Sequence, residues 1–103
     1  MATLETQTGT IRHIELDGEL NISSAEELKE KLARALESGT GIRVSLAGVS
    51  ALDITAIQLL WAAKRQAGMA GIPFTFAHPL PDWIVTQLRD AGISPASFPE
   101  GEW

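Results

Sequence analysis

Apolar and polar positions run through this chain in two rhythms, which change over at glycines and prolines. Between Gly41 and Gly48, Ile42, Val44 and Leu46 alternate with Arg43 and Ser45, the two-residue period of a half-buried strand that Gly48 is expected to end. Upstream, Thr3 to Gln7 and Thr10 to Asp17 read as two short strands around Thr8-Gly9, the pattern of a hairpin. Ile14 and Leu16 share a face and Ile11 is out of phase with them, which predicts either a bulge or a strand buried on both faces. A helical period takes over where Ala25, Leu28, Leu32, Ala35 and Leu36 form one narrow stripe opposed by Glu27, Lys29, Glu30, Lys31 and Arg34. Ser23 with Glu26 three residues on has the form of a capping box, and Gly39 closes that helix.

A second helix is expected from Ile54 to about Ala67, with Asp53 as N-cap and Gly68 as its stop. Pro73 to Phe76 follows as a strand, and a third helix starts near Pro81 and ends at Gly92, carrying Trp83, Ile84, Leu88 and Ala91. The tail from Ser94 to Trp103, with Pro95 and Pro99, is read as irregular, with Phe98 and Trp103 available to fold back on the core. Strands alternating with helices predict an α/β sandwich. Its sheet is mixed, four- to five-stranded and parallel in part, with the helices stacked against it. At 103 residues and 45% hydrophobic content, the expectation is one domain over residues 1–103 with a single core.

On the second helix the apolar positions exceed what one core face needs. At 100° per residue, Ala56, Ile57, Leu60, Ala63 and Ala67 point one way, toward the sheet. Ile54 and Trp61 point elsewhere, flank Gln58 and Arg65, and continue through Ala62 toward Thr55. Two readings of Trp61 stay open: it packs under the first strands or the tail as ordinary core, or it stands exposed beside Arg65, the composition of a binding hot spot. In the second reading this arc is a partner surface with Thr55 at its edge.

Charge and composition remove several function classes. Thirteen acidic residues against eight basic ones give a net charge of −5, and no local Lys/Arg run offsets it, so direct nucleic-acid binding is not expected. No charged n-region precedes an apolar core at the N-terminus and no apolar run approaches a membrane span, so a cytosolic protein without membrane insertion is expected. The absence of cysteine excludes disulfide and thiol chemistry. His13 and His78 are too few and too far apart for a metal site. Gly39-Thr40-Gly41 is a helix stop rather than a phosphate loop, since it lacks a third glycine or a following lysine and precedes a strand. No Gly-x-Ser-x-Gly elbow or joined Ser/His/Asp set exists, so neither catalysis nor a cofactor is expected.

Thr55 is the candidate chemistry. It lies in the first turn of the second helix, where a phosphate would meet free backbone N–H groups and also the carboxylate of Asp53. Taken by itself, a helix-start threonine can equally bond a nearby backbone group. Ser50 shares the turn and suits loop hydrogen bonding, while Ser23 suits capping. Asp53 as an acyl-phosphate acceptor would need an acidic pair and a downstream lysine on neighbouring strand ends. The chain offers no such pair in a suitable loop, although Asp17 and Glu19 follow a strand.

The segments Leu16-Asp17-Gly18-Glu19-Leu20, Val44 to Leu46 and Asp53-Ile54-Thr55-Ala56-Ile57 resemble the STAS family, the fold shared by bacterial anti-sigma factor antagonists and by cytosolic domains of some anion transporters. The resemblance covers nearly the whole chain. Family antagonists usually read Asp-Ser-Ser/Thr-Gly-Leu at the last segment, and the second hydroxyl residue, matched here by Thr55, is the one a partner kinase phosphorylates. Ile54 stands in place of the first hydroxyl residue and Ala56 in place of the glycine, which makes the surface around Thr55 more apolar.

The resemblance implies a regulatory binding module rather than an enzyme. Its partner-binding residues would be Asp53, Ile54, Thr55, Ala56, Gln58, Trp61, Ala62 and Arg65. The partner would be a serine/threonine kinase that acts as an anti-sigma factor, with ATP and magnesium belonging to that kinase, and phosphorylation of Thr55 would end the contact. Two other roles follow from the same family: a constitutive subunit bound to the ATPase of a lipid or solute transporter, or a component of a chemotaxis-type signalling complex. An apolar ligand held between helices and sheet is a further reading, limited by the small core volume. Oligomeric state is left open.

Overall fold

The computed structural model describes residues 2–77, 80–90 and 92. Four strands form one sheet in sequence order: β1 (Ala2–Thr8), β2 (Ile11–Leu20), β3 (Gly41–Leu52) and β4 (Phe74–Phe76). β1 and β2 make the expected hairpin, turning at Gly9 with φ +60, while β2–β3 and β3–β4 are parallel pairs whose crossovers carry helices. The helices are α1 (Ala25–Glu37), α2 (Ile54–Met69) and α3 (Asp82–Asp90). Ile14, Leu16, Leu20, Ile42, Val44, Leu46, Phe74 and Phe76 from the sheet bury one face against Leu28, Leu32, Ile57, Leu60, Ile84 and Leu88 from the helices. The mixed α/β sandwich is as expected, at the four-stranded end of the range.

Several boundaries differ from expectation, each for a local reason. Gly48 does not end β3. The strand runs on to Leu52 through two places where it carries a residue more than β2: Glu15 faces Ser45 but Asp17 faces Gly48, and Gly18 faces Val49 but Glu19 faces Ala51. At these bulges the inward residues change from every second position, Ile42, Val44 and Leu46, to every third, Leu46, Val49 and Leu52. Gly48 lies close against Asp17, so a Cβ there would displace the exposed Asp17 carboxylate. Ile11 proves to be exposed on the outer face of the sheet, so β2 is not buried on both sides.

The capping box before α1 exists, but two residues earlier than Ser23 and Glu26. Asn21 caps a 3-10 turn (Ile22–Ser24), its Oδ1 accepting the Ser23 amide at 2.9 Å while its own amide donates to Ser24 Oγ at 3.0 Å. Gly39, with φ +71, follows the end of α1 as expected. Gly68 does not stop α2; the helix passes through it to Met69, and the left-handed residue after the end is Gly71 at φ +75. α3 is as read, with Ile84 and Leu88 buried, whereas Trp83 is only partly covered, at 38% exposure. His78, Ala91 and the tail with Phe98 and Trp103 lie outside the described residues.

Candidate functional site

The site assembles where the parallel strands β2 and β3 both end. Leu20 and Leu52 are paired at those ends, and the Asp53 amide donates to the Leu20 carbonyl at 3.0 Å, which ties the start of α2 to the neighbouring strand. Asp53 has extended backbone and caps α2: Oδ1 accepts the Ala56 amide at 3.0 Å, and its carbonyl accepts the Ile57 amide at 3.1 Å. Thr55 is the second residue of the helix and is half-buried. A dianionic phosphate on its hydroxyl would lie near the positive end of the helix dipole but also beside the Asp53 carboxylate, so the modification changes the charge of this corner without touching the core.

Along α2, Ala56, Ile57, Leu60, Ala63 and Ala67 are all buried, which matches the predicted core face. The other arc is open: Ile54 is 50% and Trp61 41% exposed, and Gln58, Ala62 and Arg65 are exposed with them. Trp61 is therefore a surface residue. Ala56 is corrected from the candidate contact set, because at 1% exposure it faces the sheet and supports the surface from beneath. Asp53 is half-buried, its carboxylate engaged in the cap.

One member was not anticipated. The parallel pairing carries the 3-10 turn after β2 to the same end of the sheet, and Ile22 in that turn is 75% exposed. Ile22 and Ile54 thus bring two exposed isoleucines to the end of the sheet where Thr55 lies. No local pattern signals this, since the two residues come to the same end of the sheet only through the pairing of β2 with β3; an unused Ile directly after an N-cap Asn is the nearest hint.

Farther along α2, Lys64 is half-buried next to Ile72, Pro73 and Phe74, and loss of water around its ammonium lowers its pKa from the ordinary value. Among the described residues no group of His, Cys, Asp and Glu is placed to hold a metal, and no helix is long and apolar enough to cross a membrane.

The family model described as "Mlab, STAS domain" matches residues 4–94. The chain belongs to the STAS domain family. Solved structures of the same fold include the anti-sigma factor antagonist SpoIIAA in its unphosphorylated form, at 22% identity and TM-score 0.66, covering 84% of this STAS domain and 83% of that chain. The Bacillus protein SpoIIAA in its phosphorylated form matches at 20% identity and TM-score 0.68, covering 89% and 85%. A serine-to-glutamate variant of RsbS from Moorella thermoacetica matches at 16% identity and TM-score 0.70, covering 96% and 85%. Among curated proteins none matches the chain. At these identities the structural likeness speaks for the STAS fold, and the site rests on the residues themselves.

Proposed function

We propose that this STAS domain is a regulatory protein-binding module of the anti-sigma factor antagonist type. Its unmodified form binds a protein partner through the arc of Ile54, Gln58, Trp61, Ala62 and Arg65, and phosphorylation of Thr55 by that partner ends the contact. The exposure of Trp61 beside Arg65 carries this reading, on a helix whose core face is already filled by other residues. A large aromatic side chain left partly in water near an arginine gains when a partner covers it. A phosphate on Thr55 would oppose the same contact by placing a poorly shielded dianion, next to Asp53, in an interface that must lose its water. The occurrence of SpoIIAA in phosphorylated and unphosphorylated forms supports a switch of this kind.

The test is intact-mass measurement and phosphopeptide mapping of the protein isolated from its native cells, with Thr55→Ala as control. A phosphate on Thr55 is the expected result, accompanied by at least tenfold weaker partner binding of Thr55→Glu. If Thr55 stays unmodified across growth and stress conditions, the switch is excluded.

A second reading then takes its place: a permanent subunit of a larger assembly, such as the ATPase of a lipid or solute transporter, in which Thr55 is a contact residue. The exposed Ile22 and Ile54 favour it, because apolar side chains at the binding corner suit a contact that is never opened. In either role the domain performs no chemistry of its own and acts through cytosolic partners.

A further inference from the structure

The two edges of the sheet are built very differently. β4 has three residues and is preceded by Pro73, both features that keep an edge from pairing with another chain. β1 has seven residues, contains no proline and no lysine, and runs along β2 from Ala2 to Thr8 without a bulge. Among the described residues no strand pairs with its outer edge, which offers a straight row of backbone donors and acceptors.

Its side chains remove the usual obstacle to self-pairing. Ala2, Leu4, Thr6 and Thr8 share the outer face of the sheet and are all uncharged, with Leu4 exposed there and Ile11, the β2 partner of Thr8, exposed at the other end of the strand. The one charge on β1, Glu5, faces the helices, where Arg12 Nη1 approaches Oε1 at 3.5 Å and Lys31 Nζ approaches Oε2 at 3.9 Å. Two copies set antiparallel across a two-fold axis would thus oppose neutral, strand-favouring residues, while each Glu5 keeps two cations of its own chain.

We propose that β1 pairs with β1 of a second copy, joining the two sheets into one continuous sheet with all helices on the same side. A second copy fits better than a foreign strand because the neutral outer row carries no charge to select another sequence, and because a two-fold arrangement satisfies both open edges at once. The net charge of −5 on each copy opposes the pairing, so added salt strengthens it.

The test is sedimentation of the full chain from micromolar to millimolar concentration, in low and high salt, for the unaltered protein, Leu4→Lys and Thr6→Lys. Both positions are exposed, and matched circular dichroism and melting curves confirm that each variant is folded. A dimer that tightens with salt and is weakened roughly tenfold by either lysine is expected. Concentration-dependent protection of alternate β1 amides from hydrogen exchange should accompany it. A monomer at every concentration overturns the proposal. So does a dimer that ignores both lysines and is lost in Trp61→Ala, since self-association would then run through α2.

Discussion

Asp53 illustrates how one side chain can set the backbone of a candidate site. Its carboxylate fixes the first turn of α2 by accepting the Ala56 amide, and its amide holds the helix to the end of β2. Asp53→Ala should therefore cost about 1 kcal/mol of stability, as loss of an N-cap does, while Asp53→Asn keeps the hydrogen bond and should stay within about 0.5 kcal/mol of the parent in urea melts. At the Thr55 hydroxyl the two substitutions part: the asparagine removes the negative charge beside it while leaving its backbone position alone. The cap was legible from the chain because an aspartate before an apolar-periodic run has a local cause. Ile22 was not, because its proximity to the site depends on a strand pairing thirty residues distant in sequence.

The element α2 sets a core residue and a proposed contact residue side by side. Leu60 is fully buried against the sheet and Trp61 faces outward. Leu60→Ala should lower the unfolding free energy by about 3 kcal/mol, within the range for buried leucines, and Trp61→Ala by about 1 kcal/mol. Partner binding should show the opposite order, with Trp61→Ala the more damaging; equal thermal losses for the two variants would place Trp61 in the core instead. Which residues face inward was readable on α2 because 100° per residue holds throughout its length. It failed on β3, where Ile42, Val44 and Leu46 follow the two-residue period but Val49 and Leu52 do not, so Gly48 looked like an end when it marks a change of step. Gly68 misled for a related reason: a glycine ends a helix only where the left-handed backbone follows, and here that falls at Gly71. Before α1, the 3-10 turn moved the cap from Ser23 to Asn21 without moving the apolar stripe that made the helix recognisable.

For the molecule as a whole, the helices cover one face of the sheet, the proposed binding corner lies at the strand ends of β2 and β3, and β1 forms a separate border. The architecture was legible because strand and helix periods alternate cleanly; which border stays open depended on the strand order, which no single segment encodes. One detail of that order reaches further. β3 spends twelve residues, Gly41–Leu52, alongside the ten of β2, Ile11–Leu20. The surplus is slack in chain length that the ladder does not need, so this strand can lose a residue where its neighbours cannot. Removing Ala47 should leave the downstream partners Asp17↔Gly48 and Gly18↔Val49 and the start of α2 in place, with a cooperative thermal transition retained. Removing Arg43 shifts Ile42 relative to Val44 and turns one of them toward water, and the same melt should show the fold lost. Insertions and deletions among relatives of this domain should accordingly gather at the surplus positions, where chain length can drift without moving the helix that carries the proposed binding surface.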